Sequence, residues 1–271
     1  MRGSSRAAAA AVQEAFDGVL GGSVDRAGLA DELFSAAAVI DGNPSLRRAL
    51  ADPSREGAAK KGLAERLFGG KVSAEAASLV GAVAAGRWSA EGDFSDTLES
   101  LAVQSLLAKA EGEGRIDAVE DELFRFERIV AGDSELRDTL SSRNTDGPGK
   151  ASVVRRLLEG KAQPETIRLA EQAVTTPRGR RLDRIMDSYL TLAATRRDEL
   201  SALVTVAHPL TEQQQARLRT ALENIYSKSV SLQTVIDSSV VGGIRVQIGD
   251  EVVDGTVLRR LDDVKRHIAG G

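Results

Sequence analysis

The feature that most constrains this chain is that it repeats itself. Asp31-Glu32-Leu33-Phe34 returns as Asp121-Glu122-Leu123-Phe124. At the same offset of 90, Gly42 meets Gly132, Leu46-Arg47 meet Leu136-Arg137, and Leu50 meets Leu140. Gly57 and Lys60 meet Gly147 and Lys150, Arg66-Leu67 meet Arg156-Leu157, and Gly70-Lys71 meet Gly160-Lys161. Glu75 and Leu79 close the series against Glu165 and Leu169. Shared composition does not keep register over so many positions, whereas a duplicated supersecondary unit does.

That unit reads as helical. A first helix is expected over 4–20, with Ala8, Val12, Ala15 and Val19 on one stripe and Gly21-Gly22 at its end. A second covers 25–40, with Leu29, Leu33, Ala37 and Ile40 on one face and Gly42 after it. Asn43-Pro44 opens a short third helix, since proline is tolerated where the amide has no helical partner. Helices over 54–68 and 73–85 follow, the first stopped by Gly69-Gly70. A helix over 93–112 serves twice, closing one bundle as its sixth helix and opening the next as its first. The second copy then runs through helices near 116–130, 135–140, 149–158 and 164–174, and a longer one over 178–202.

From Leu203 the pattern changes. Leu203–Ala207 reads as a strand, and Thr211 with Gln214 forms a capping box for a helix to about Tyr226. Val230, Leu232, Thr234 and Ile236 alternate with polar residues, as do Ile244, Val246 and Ile248, which predicts two half-buried antiparallel strands around Gly242-Gly243. Gly249-Asp250 reads as a tight turn, and Asp254 as the cap of a last helix carrying Val257, Leu261, Val264 and Ile268. The expected fold is mainly α: two tandem six-helix-type bundles sharing a connecting helix, then a small α+β module of order strand-helix-strand-strand-helix. Its domains are 1–92, 93–202 and 203–271.

Composition excludes several function classes. Cysteine is absent, which removes disulfides, thiolate nucleophiles and thiolate metal sites. A net charge of −4 and 3% aromatic content disfavour a nucleic-acid binder. No apolar run is long enough to span a bilayer, and the alanine run near residue 10 is too short for a secretory core, so a cytoplasmic protein is expected. Asn144–Ala151 approaches a phosphate-binding loop but lacks glycine at 144 and a hydroxyl at 151. Asp31-Glu32, Asp250-Glu251 and Asp262-Asp263 are neighbours in sequence and do not converge across a cleft, as acid-base chemistry requires. His208 and His267 are far apart. No catalytic, cofactor-binding or metal-binding residues are expected, and no cofactor. Arg178, Arg180, Arg181 and Arg184 form the densest basic run, read as an exposed helix start or a contact for an acidic partner helix. Trp88 reads as a packing residue closing the first bundle.

The residues Val230, Leu232, Ile236, Asp237, Val240, Gly242, Gly243, Ile244, Val246, Gln247 and Gly249, with Val253-Asp254-Gly255 after them, are similar to the C-terminal signature of the delta subunit of rotary ATP synthases, called OSCP in mitochondria. The pattern of residues 93–268 resembles that whole family, with the preceding segment as an extra copy of the bundle. The resemblance implies a non-catalytic peripheral-stalk or stator subunit, lying on the cytoplasmic face of the cell membrane through its complex. It implies partners too: N-terminal helices of the alpha subunits for the bundle, and the b-subunit stalk for the C-terminal module. On that basis a head-binding groove is expected between the first and fifth helices, lined by Ala8, Val12, Ala15, Leu79, Val80 and Val83. A stalk contact is expected through Leu258, Leu261 and Val264. The rival reading is a free-standing helical-repeat regulator that docks partner helices.

Overall fold

A computed structural model describes residues 3–20, 23–142, 144–196, 199–226, 229–237, 240, 243–248 and 251–254. The chain divides into two compact units, residues 1–193 and 194–271.

The first unit is helical. Its elements are α1 (Gly3–Leu20), α2 (Arg26–Asp41), α3 (Pro44–Ala51), α4 (Gly57–Phe68), α5 (Ala74–Ala85) and α6 (Glu91–Gly112), then α7 (Ile116–Gly132), α8 (Ser134–Ser141), α9 (Gly147–Leu158), α10 (Pro164–Thr175) and α11 (Leu182–Arg196). Side-chain caps set many of the starts. Asp25 accepts from the Ala27 amide, Asn43 from Leu46, Ser73 from Ala76, Asp133 from Leu136 and Asp146 from Gly149. Each satisfies an amide that the helix leaves without a partner. Gly70 and Gly160 take φ values of 72° and 70° just beyond α4 and α9, the left-handed region that favours glycine.

Bounds and contacts recur at the offset of 90. The limits of α3, α4 and α5 map onto those of α8, α9 and α10 residue for residue. Glu32 reaches across to receive the Ser73 amide and hydroxyl, and Glu122 likewise receives the Gln163 amide and the Thr166 hydroxyl. Arg47 donates to the Asp41 carbonyl and Arg137 to the Ala131 carbonyl, both at 3.2 Å. Val39 and Ile129, also 90 apart, are both exposed large aliphatics.

α6 is the spine of this unit. Phe94, Leu98, Leu101, Ala102, Val103, Leu106, Leu107, Ala108 and Ala110 are all buried, so apolar side chains enter the core round most of the helix, and Asp96, Ser100 and Gln104 keep one half-exposed polar stripe. The buried residues of the unit join into one continuous apolar cluster from Val12 to Ala193. On the α2 side, Ala36 and Ala37 are small and buried, and α2 packs closely along α6. The positions 90 residues on are Phe126 and Glu127.

The second unit departs from the sequence reading in three ways. The helix expected over 178–202 ends at Arg196, and the strand expected from Leu203 begins at Glu199, as β1 (Glu199–Val206). Ala202, Val204 and Val206 alternate along the buried face, and pairing with a neighbouring strand carries β1 back to Glu199. After α12 (Glu212–Tyr226) come β2 (Ser229–Ile236), β3 (Ile244–Ile248) and β4 (Glu251–Asp254), in a four-stranded sheet of order β2-β1-β3-β4. The expected pairing of β2 with β3 is therefore not made: β1 lies between them, parallel to β2 and antiparallel to β3. Val252, Val253 and Asp254, expected as the lead into a helix, lie in a fourth strand not expected from the sequence, with Asp254 in register with Arg245. The expected last helix lies outside the described residues.

The Thr211–Gln214 capping box forms as expected, with Thr211 N donating to Gln214 Oε1 at 2.9 Å and Gln214 N to Thr211 Oγ1 at 3.3 Å. One sheet face, with Ala202, Val204, Val206, Val246 and Ile248, packs with Leu222 of α12. Tyr226 donates its hydroxyl to Glu251, tying the end of α12 to β4 at 2.9 Å.

Candidate docking surfaces and an ion-pair joint

The residues expected to line a groove between the first and fifth helices lie on α1 and α5, which pack against each other. Val12, Leu79, Val80 and Val83 are buried in the shared core, Ala8 is partly buried beside it, and Ala15 is exposed. Four of the six therefore belong to the packed core, and only Ala8 and Ala15 reach solvent. Leu258, Leu261 and Val264 lie outside the described residues.

The signature residues divide by role in the sheet. Val230, Val240 and Val246 are buried, while Leu232 and Ile244 pack at the core's margin. Asp237 donates its amide to the Val206 carbonyl at 2.9 Å, and its own carbonyl receives the Val240 amide at 3.1 Å. Gly243 has φ 129°, which only glycine adopts without strain. Ile236 is exposed at 58%, and Asp237 and Gln247 are exposed. Gly242 and Gly249 lie outside the described residues.

The arginine run finds its acidic partners inside the chain. Arg178 donates to Asp96 at 2.6 Å, to Glu99, and to Asp41 at 3.5 Å. Arg180 donates to both Glu99 oxygens, at 2.8 and 2.5 Å, and the buried Tyr189 hydroxyl donates to Glu99 at 2.8 Å. Arg178 holds φ 50°, in the left-handed region, and Gly179 follows at 75°. The hub is Glu99 on α6, whose side chain is 6% exposed. Burial disfavours charge on Arg178, but Glu99, Asp96 and Asp41 outweigh it and hold its pKa above the ordinary value. Burial and the Glu99 carboxylate push the Tyr189 phenol well above its usual range. Arg181 and Arg184 are exposed, so the helix-start reading holds for them alone. The run was visible in the sequence; Glu99, some 80 residues away, carried no signal there.

A second ion cluster ties α6 to α10. The Glu165 carboxylate is 2% exposed and accepts from Lys109 and Arg115, each at 2.8 Å. Burial alone would raise its pKa, yet these donors bring it below the ordinary value. The loop-like stretch around Lys150 is a helix start, and the Asp146 carboxylate takes the Gly149 amide that a phosphate would need. Asp31 pairs with Arg168 at 2.6 Å, and Glu32 caps α5, so that acidic pair serves structure. Trp88 is buried as expected, donating to the Val83 carbonyl at 2.8 Å and meeting Phe94 edge to face.

No described helix is long and apolar enough to cross a membrane. The family profile described as "ATP synthase delta (OSCP) subunit" matches residues 103–268. A protein of Streptomyces griseus named "ATP synthase subunit delta" is 46% identical over 271 residues, covering 100% of both chains. Proteins of the same name from Kineococcus radiotolerans and Nocardia farcinica are 42% and 43% identical, each covering 99% of this chain and 98% and 100% of their own. Family profile and full-length kinship agree with the signature on β2 and β3: the chain belongs to the ATP synthase delta (OSCP) family, the non-catalytic stator subunits of the rotary ATP synthase.

Proposed function

We propose that this subunit joins the catalytic head of the synthase to its peripheral stalk, on the cytoplasmic face of the membrane, and so couples proton flow to ATP synthesis. The head side is the α1–α5 seam, which receives N-terminal helices of the alpha subunits. The stalk side is the C-terminal unit with Leu258, Leu261 and Val264, which receives the b subunit. Helix-in-groove contacts through apolar anchors suit a part that must hold against torque. One observation carries the reading: the family match runs across the second half of the helical unit and the sheet unit together.

Residues 1–92 are, in this reading, an extra copy of the bundle in 93–202, with α6 common to both. The shared helix limits and the matched Glu32/Glu122 and Arg47/Arg137 contacts support it.

Reconstitution tests the function. Membranes stripped of the head and of the native subunit are mixed with purified head, with and without this protein, and ATP-driven proton pumping is recorded. Pumping that returns only with the protein present is expected; equal pumping without it overturns the reading.

A further inference from the structure

Among the differences between the two halves, one lies beside a cavity. In the first half Lys60 is buried, and its ammonium donates to the Gly86 carbonyl at 2.6 Å. Trp88 closes the space beside it, bonded to Val83 and set against Phe94. Ninety residues on, Trp88 and Phe94 give way to Arg178 and Arg184. Arg178 turns to the carboxylates of α6, and Arg184 is 77% exposed, so neither returns an apolar plug. Thr176 replaces Gly86 with different backbone angles (φ −130°, ψ 60° against −64°, 157°).

What remains is a cavity of about 500 Å³ between α7, α8, α9 and the α10–α11 connection. Val130, Leu140, Val174 and Leu182 give it apolar walls, and Lys150 lines it. Lys150 is 6% exposed, and among the described residues its ammonium has no hydrogen-bond or ion-pair partner. An ammonium at the wall of a mostly apolar cavity, with no protein acceptor of its own, is a ready donor to a bound anion. The charges around it agree. Arg180 is held by Glu99 and Arg181 by Asp183, which leaves Lys150 and Arg137 against the single carboxylate of Glu127. The volume lies in the range of single-ligand sites.

We propose that this cavity binds a small amphipathic carboxylate, its apolar body between α7, α8 and α11 and its carboxylate on Lys150. In the first half the equivalent lysine, Lys60, is instead satisfied by the Gly86 carbonyl, with Trp88 packed against Gly86. The proposal does not depend on the stator reading and stands or falls by binding alone.

Octanoate is the probe, with octanol and octylamine as controls, added to the full chain at about 1 mM and followed by methyl NMR. Shifts confined to Val130, Leu140, Val174 and Leu182 are expected, with octanoate bound about tenfold or more tighter than octanol, the share a hydrogen bond to a charged group supplies. Lys150→Met keeps the aliphatic stem and should erase that preference. Ala131→Trp, at an exposed position on the rim, should block both ligands while leaving the fold intact. No shift with octanoate, equal affinity in Lys150→Met, or undiminished binding in Ala131→Trp would overturn the proposal. So would binding of an acidic amphipathic peptide when octanoate does not bind.

Discussion

Glu75 and Glu165 occupy the same place in the repeat, yet one is exposed and the other buried. The cause is local. Lys109 and Arg115, which hold Glu165, stand where the first half has Val19 and Asp25. Because the folded carboxyl titrates below its ordinary 4.5, it adds stability that is present above that pH and is lost as pH falls through the folded value. Glu165→Gln should therefore cost about 2 kcal/mol near pH 7. The gap to the parent should narrow as pH drops through the carboxylate range, and urea melts at several pH values read it directly. The sequence showed the glutamate pair but not this difference, because burial of a charge depends on donors that arrive from another helix.

Among elements, legibility followed how local the determinants are. Helix starts at Asp25, Asn43, Ser73 and Thr211 depend on a side chain and an amide two or three residues away, and they were readable. The face of β3 was readable for the same reason, and that of β2 at Val230 and Leu232, whereas Ile236 on the same stripe is exposed. The partner of each strand was not: alternation fixes which side of a strand is buried, not which strand lies beside it. The limit of α11 was missed because the stripe continues past Arg196 into residues that serve equally well in β1. The arginine joint belongs to this scale too, since it fastens the α10–α11 connection to α2 and α6. Arg178→Ala strands the buried Glu99 between Arg180 and Tyr189, and should destabilise the helical unit by about 3 kcal/mol. Tyr189→Phe, which removes one neutral donor, should cost about 1 kcal/mol. Calorimetry of the two variants orders them; equal losses would contradict Glu99 as the hub.

For the whole molecule, the period of 90 set the helical architecture before any contact was known. What it did not convey is that the helical unit has one core. Removing residues 1–90 takes away α1 to α5 and bares the side of α6 that α2 covers. The truncated chain should self-associate and melt well below the parent, as size-exclusion chromatography and a thermal scan would record; a monomer of unchanged melting temperature would contradict it.

α6 also decides how the unit comes apart. A helix buried round most of its circumference releases the amides of its buried faces to solvent only when the helices packed on both of those faces come away. Its slowest hydrogens must therefore exchange through opening of the entire unit. Two groups of helices that share this rod share one cooperative transition, and neither has a melting point of its own.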